Sequence, residues 1–345
     1  MRYASLLRAG LFGSAISAFV ALAAVSTAAQ ELTTVRLGSS VKSIFSLPLY
    51  VADQKGFFKE EGVKVAIEFF NGGPPATAAL LGGSVDLIVS GFENQLKVVK
   101  RGQKVVSLAT VQTSFSGSLV LRKDVADKLG RKPTVQDVKG LKIGTSSRGG
   151  VADSAARYLL ASNGISPEKD VEMVPLRGFD KHIAAGEAGE INASLMIEPW
   201  QTIAVDGTKD WVYVQNFSVG EGPDLFQNMA YVTLQTTPDY LAKNRAVAEK
   251  VVRAVIRAQS FIAKERNLDE LTRIAKNVFT DTDANILRIS IQHQLDTYNP
   301  EISPAAIEKN ITLVKIAGQF DGTAPEYDAI VDGSFKKFWS AYSAK

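Results

Sequence analysis

Two stretches of this chain place polar, side-chain-poor backbone directly in front of a helix. One is Gly144-Thr-Ser-Ser-Arg-Gly-Gly150, which follows the apolar run from Leu141 and precedes the alanine- and leucine-rich run Val151 to Leu160. The other is Asn71-Gly-Gly-Pro-Pro75, between Val63–Phe70 and Ala76–Leu81. A helix N-terminus leaves N–H groups unpaired and carries partial positive charge. Glycine lets a ligand approach that backbone, and serine adds donors, so both stretches read as sites for an anion or a polar ligand. In the first stretch Ser146, Ser147, Gly149 and Gly150 are candidate contacts. Arg148, its one cation, suits a bidentate grip on a carboxylate or sulfonate. The plainer reading is that Ser146 or Ser147 caps the helix, and that Arg148 pairs with Asp153.

Covalent and metal chemistry find little to work with. There are no cysteines, which excludes disulfides, thiolate metal sites and cysteine nucleophiles. His182 and His293 are the only histidines; they are far apart in sequence, and surface or packing roles fit them better than a zinc site. Neither GxxxxGKS nor GxxxxGKT occurs, and no GxSxG elbow occurs after residue 29. No cofactor or metal is expected, and the chain reads as a binder rather than an enzyme.

The elements that must position these loops alternate between strand and helix. Thr33–Ser40, Val63–Phe70, Val85–Gly91 and Lys104–Thr113 read as strands, with helices over 46–62, after Pro75 and over 93–101. After Ser114-Phe-Ser-Gly-Ser118 a second run begins, with strands near 118–122, 141–144, 171–176, 191–197 and 211–217. Between them Ala152, Ala155, Ala156, Leu159 and Leu160 form the core stripe of a helix. Met229–Thr237 reads as a return crossing, after which the chain is helical, with Val247, Val251, Ala254, Val255, Ala258 and Ile262 on one face. The fold class expected is α/β: two lobes, each a mainly parallel sheet with flanking helices, joined by crossings near 111–117 and 228–236. The lobes are drawn as 30–113 with 232–345, and 114–231.

Residues 1–29 read as a cleaved signal peptide: Arg2 and Arg8, an apolar run to Val25, then Ser26-Thr-Ala-Ala29. Its loss lowers the formal net charge from +3 to +1, which removes any basic surplus that would suggest nucleic acid. An exported chain with no cysteine for lipid attachment and no later membrane-length apolar run is expected to be periplasmic and monomeric.

At PLYVADQKGFFKEEGVKVAIEFFNGG, AALLGGSVDLIVSG, LKIGTSSRGGVADSAARYLLASNGI and AGEINASLMIEPW the sequence resembles the solute-binding proteins of ABC importers, in the nitrate/sulfonate/taurine group related to thiamine-pyrimidine precursor binding proteins. The resemblance covers most of the chain after residue 29 and implies a type II periplasmic-binding-protein clamshell with ligand between the lobes. It also implies a permease partner with a separate ATPase. The implied contacts are Ser43, Phe45 and Ser46 after the first strand; Asn71, Gly72 and Gly73; Ser90, Gly91 and Phe92 after the third strand; Phe115 and Ser116 on the first crossing; and Glu198 and Trp200 at the end of INASLMIEPW. The bland alternatives are a cap at Ser46, turns at the glycines, a core role for Trp200 and a structural one for Glu198. Donor-rich loops and Arg148 suggest a small organic anion such as a sulfonate, taurine, nitrate or a carboxylate. Phe45, Phe92, Phe115 and Trp200 would equally suit an aromatic or pyrimidine ligand. A fungal relative of the fold makes a thiamine pyrimidine with a histidine donor and a cysteine-rich iron motif; a chain without cysteine does not match that pattern.

Overall fold

A computed structural model describes residues 32–342, so the expected signal peptide lies outside the described residues. Two five-stranded sheets organise the chain. The first holds β1 (Thr33–Ser39), β2 (Val63–Phe69), β3 (Leu87–Gly91), β4 (Val106–Gln112) and β10 (Val232–Thr236), in the order β2-β1-β3-β10-β4. The second holds β5 (Gly117–Arg122), β6 (Lys142–Thr145), β7 (Glu172–Pro175), β8 (Ala193–Ile197) and β9 (Trp211–Asn216), in the order β7-β6-β8-β5-β9.

Both sheets are mixed, within the α/β two-lobe fold class expected. β1 runs parallel to β2 and β3, and β6 runs parallel to β7 and β8, as helical crossovers require. β10 is antiparallel to β3 and β4, and β5 is antiparallel to β8 and β9. These two strands enter from the other sheet rather than through a helix on their own, so nothing obliges them to run parallel.

Along the chain the helices are α1 (Leu47–Gln54), α2 (Phe57–Glu60), α3 (Gly73–Leu81), α4 (Phe92–Lys100), α5 (Lys123–Ala126), α6 (Val151–Ser162), α7 (Asp180–Glu187), α8 (Trp200–Thr202), α9 (Pro238–Glu265), α10 (Leu268–Lys276), α11 (Ala284–Gln292) and α12 (Pro304–Ile316). The single helix expected over 46–62 is two, because Gly56 takes a φ of 78° that a helix cannot continue through. The alanine–leucine stripe of α6 is buried throughout, as its spacing predicts. β3, β4, β8 and β10 are buried on both faces, and apart from Gln112 and Gln235 they read as apolar or small-residue runs. One apolar cluster runs continuously through both sheets, from Val35 and Leu108 in the first to Leu119 and Leu195 in the second. No helix among the described residues is long and apolar enough to cross a membrane.

Candidate functional site

The carboxyl ends of β1, β3 and β6 converge where the two sheets face each other. Gly72 and Gly73 open α3, and the backbone folds so closely there that side chains are excluded. Gly72 has a φ of 129°, and a Cβ on it would overlap Ser147 Oγ from the other sheet's loop. A Cβ on Gly73 would overlap the Asn94 amide, and one on Gly91 would overlap the Glu93 carboxylate. Glu93 and Asn94 lie in the first turn of α4, which begins where β3 ends.

Glu93 is completely buried. Asn94 Nδ2 donates to its Oε1 at 2.6 Å, while Oε2 has no hydrogen-bond partner among the described residues. Burial pushes its carboxyl up to about 7, and the charge of Lys97 one turn later opposes that shift. Ser90 Oγ and Ser147 Oγ are likewise buried and unpartnered among the described residues, and the buried Ser116 and Tyr231 hydroxyls have only each other. Tyr231 ties them together. Burial drives its phenol well above the ordinary value, with the neighbouring Ser116 hydroxyl opposing the shift and the Glu93 charge adding to it. Its ring meets Phe115 edge-on at 5.1 Å and Phe45 at 6.2 Å. Phe115 in turn packs on Phe226 and Phe217. A buried polar atom left without a partner costs about 1–3 kcal/mol. The buried oxygens of Glu93, Ser90 and Ser147 come from both sheets and lie near one aromatic cluster, which makes this place a candidate for a polar ligand.

A second buried carboxylate lies at the end of β8. Glu198 Oε1 accepts from Gln201 Nε2 at 2.7 Å and from His293 Nδ1 at 2.7 Å, and Oε2 accepts from Thr202 Oγ1 at 2.7 Å. Burial disfavours the His293 imidazolium, but the hydrogen bond and charge of Glu198 outweigh it and raise its pKa. The Glu198 carbonyl accepts from Ser43 Oγ at 2.6 Å and from Ile44 N at 3.4 Å, both following β1 of the other sheet. This glutamate is a junction between the two halves, with a hydrogen-bond donor on each carboxylate oxygen and two on its carbonyl.

Outside the floor, between the sheets, lies a cavity of about 690 Å³ with Phe69, Asn71, Pro74, Ser147, Arg148 and Arg177 among its lining residues. A second cavity of about 340 Å³ shares Phe69 and Asn71 and adds Lys42, Phe179 and Trp200. Arg148 and Arg177 are exposed and make no ion pair among the described residues, whereas Arg36, Arg131, Arg253 and Arg266 are all ion-paired.

The residues singled out in the sequence fall into three places. Phe45, Gly72, Gly73, Ser90, Gly91, Phe115, Ser116 and Ser147 are gathered at the floor. Asn71, Arg148 and Trp200 line the mouth, and Ser146, Gly149 and Gly150 belong to the loop between. Four sit elsewhere: Glu198, whose carboxylate is held by Gln201, Thr202 and His293, and three more. Phe92 points into an apolar cluster with Leu96, Ile302, Ile307 and Phe320. Ser43 Oγ is bound to the Glu198 carbonyl, and Ser46 Oγ to Ser39 Oγ at 2.9 Å. The capping expectations fail. Ser46 makes no cap bond to α1, and α6 starts after Gly150 with no side-chain cap from either serine. Asp153 does not pair with Arg148; it accepts from Gly149 N at 2.9 Å, Gln319 Nε2 at 2.7 Å and Arg157 Nε at 3.3 Å. His182 is buried against Ser194 Oγ at 2.7 Å, and burial lowers its pKa to about 4. Among the described residues no group of His, Asp and Glu has the arrangement of a metal site.

The sequence profile of the NMT1-like family matches residues 28–276. The chain belongs to the NMT1-like family. YtlA of Bacillus subtilis (strain 168) is 28% identical over 300 residues, spanning 86% of both chains. The nitrate/nitrite binding protein NrtA of Nostoc sp. is 24% identical over 265 residues; the match covers 72% of this chain and 58% of that one. Among solved structures, the alkanesulfonate-binding protein SsuA from Xanthomonas axonopodis pv. citri, bound to MOPS, superposes with a TM-score of 0.72 at 19% identity, covering 87% of this chain and 98% of that one. These relationships establish the periplasmic-binding-protein fold and support a binding role.

In this NMT1-like chain the sequence reading overlooked the residues that matter most at the floor. A glutamate in the first turn of a helix is ordinarily a solvated partner of the helix dipole. Only the packing of α4 under the Asn71–Gly73 loop buries Glu93 and Asn94. Tyr231 could have been found, because it lies on the return crossing just as Phe115 and Ser116 lie on the outward one.

Proposed function

We propose that this chain is the substrate-binding component of an ABC importer, working in the periplasm and delivering its ligand to a membrane permease with a separate ATPase. The two lobes are residues 30–113 with 232–345, and 114–231; the membership of the two sheets supports that division. Ligand capture is reversible and involves no chemistry on the ligand: groups on both sheets gain partners only when the lobes close over it.

The ligand we favour is a small aromatic or heterocyclic compound bearing N–H donors, the pyrimidine-like alternative. The observation that carries this reading is Glu93, a buried carboxylate with one free oxygen, surrounded by hydroxyls and rings. No free cation is set beside it: the Lys97 ammonium is directed to Gly149 O at 2.6 Å and Ser154 Oγ at 3.1 Å. An inorganic anion such as nitrate would find no uncommitted cation at that floor, because the Lys97 protons are already donated. An acidic group on the ligand has its place at the mouth, where Arg148 and Arg177 face the same cavity.

The test is native mass spectrometry of protein purified from the periplasm, followed by thermal shift with aminopyrimidines, pyrimidine carboxylates, alkanesulfonates, taurine and nitrate. A bound compound at 100 times its Kd adds about 2.7 kcal/mol of stability, with no turnover. Stabilisation by an aminopyrimidine but not by nitrate supports the reading. Stabilisation by nitrate or an alkanesulfonate alone sinks the ligand class, and conversion of the bound compound to product sinks the binding role.

A further inference from the structure

α4 carries Glu93 at its start and Lys97 one turn later, on the side of the helix facing the second sheet. The Lys97 ammonium reaches across and uses all three protons. It donates to Gly149 O at 2.6 Å, to Ser154 Oγ at 3.1 Å and to Gln319 Oε1 at 3.1 Å. Gly149 belongs to the loop after β6 and Ser154 to α6, both built on the second sheet. Gln319 follows α12, whose Ile307, Ile311 and Val314 pack in one apolar cluster with Phe92 and Leu96 of α4. Gln319 therefore belongs with Lys97. It completes the bridge, accepting from Ser154 Oγ at 2.5 Å and donating from Nε2 to Asp153 Oδ2 at 2.7 Å. Asp153 in turn holds Gly149 N at 2.9 Å and is itself completely enclosed.

The Ser146–Gly150 loop is thus fixed from one side by its own helix and from the other by two side chains of the facing half. Two features make this more than general packing. First, the bonds to Gly149 O and Asp153 are charge-assisted, the class that contributes most per bond. Second, Ser147 in the same loop leaves its Oγ unpartnered against Gly72, so the loop is held by its ends while its tip is left for the site.

We propose that Lys97 and Gln319 are positioning residues that clamp the Ser146–Gly150 loop to the helix carrying Glu93, so that ligand capture at Glu93 and closure of the two halves occur as one event. Lys97 touches no ligand in this arrangement. It sets where Ser147 stands relative to Glu93 and holds the halves together once they meet. The Lys97 charge, one turn after Glu93, favours the ionised form of that carboxylate. The proposal rests on the site reading above, but the clamp can be tested without knowing the ligand.

The absence of cysteine makes the measurement clean, since two labels can be placed at will. Lys64 on β2 and Glu172 on β7 are exposed and belong to different sheets. Spin labels at Lys64→Cys and Glu172→Cys in the mature chain report the separation of the halves by pulsed electron spin resonance. Lys97→Met is expected to lower the population at the short separation about tenfold, as loss of charge-assisted bonds implies. Gln319→Leu is expected to do the same to a smaller degree, and Lys97→Arg to retain most of the short population. If Lys97→Met does not fold, Gln319→Leu and Ser154→Ala carry the same comparison. An unchanged distance distribution in the folded variants overturns the proposal. So does equal loss in Lys97→Arg and Lys97→Met, which would show bulk rather than charge at work. Adding 4-amino-5-hydroxymethyl-2-methylpyrimidine as a probe gives a separate readout. In the parent it should increase the short population, and in Lys97→Met it should do so only at about tenfold higher concentration. Failure of the probe to bind the parent counts against the ligand class and leaves the distance comparison standing.

Discussion

Glu93 and Glu198 are both completely buried, both follow the end of a strand at the junction of the two sheets, and both neighbour an aromatic or helical start. They differ in what surrounds their oxygens. Glu198 has Gln201, Thr202 and His293 on its carboxylate, and two donors from the other half on its carbonyl. Glu93 has the Asn94 amide on Oε1 and nearby backbone N–H groups, and its Oε2, packed against Gly91, has no side-chain partner among the described residues. The first arrangement holds the molecule together. The second leaves an oxygen without a side-chain partner, which is where we propose the ligand binds. Burial of a carboxylate says nothing about its role until its hydrogen bonds are counted.

Removing Glu198 is the harshest way to test that contrast. Glu198→Ala leaves His293, Gln201 and Thr202 without their buried acceptor, and should lower stability by about 3–5 kcal/mol in urea denaturation. A loss under about 1 kcal/mol would show that the junction is not structural. Glu93→Gln should move stability the other way. The Glu93 carboxyl is raised to about 7, so the folded chain holds that proton more tightly than the unfolded one. Parent stability is therefore full below the ordinary value of 4.5 and declines as pH rises from 4.5 to about 7. Glu93→Gln escapes that decline and should be more stable than the parent by roughly 2 kcal/mol at pH 8, with no advantage at pH 4. It should also lose affinity for any donor-bearing ligand.

His293 sharpens the same contrast with the opposite sign. Its pKa is raised in the folded chain, so the stability it draws from Glu198 is complete below the unfolded value of 6.5 and is lost as pH rises through the folded value. The gap between parent and His293→Gln, about 1 kcal/mol at pH 6, should narrow in thermal melts as pH rises above 6.5. A gap that widens with pH would mean that the imidazole is neutral in the fold. The smallest effect belongs to the rim. Arg148→Ala should leave stability within about 0.5 kcal/mol of the parent, because the side chain is exposed and unpaired. It should weaken an acid-bearing ligand several-fold and a neutral analogue not at all, read by calorimetry.

Much of this arrangement could be read from residue order. Alternation of apolar positions gave the strands, the alanine–leucine stripe gave α6, and the two glycine loops pointed to where the halves meet. What escaped the reading was assigned by contact. Ser146 and Ser147 are natural caps by type, yet Gly150 and the backbone of the loop take that place, and Asp153 is claimed by Gly149, Gln319 and Arg157 before Arg148 can reach it. Phe92 and Phe115 are alike in the sequence, but α12 packs over one and the site forms beside the other.

The sequence by itself determined the α/β alternation and the glycine loops, because periodicity and backbone freedom are local properties of a few neighbouring residues, while resemblance along whole stretches gave the family. Which buried carboxylate is sated and which still has an oxygen to offer was decided only in three dimensions. The partners of Glu198 come from His293, 95 positions away, while Glu93 is enclosed by loops from both sheets, and hydrogen-bond saturation depends on such distant neighbours rather than on residue type.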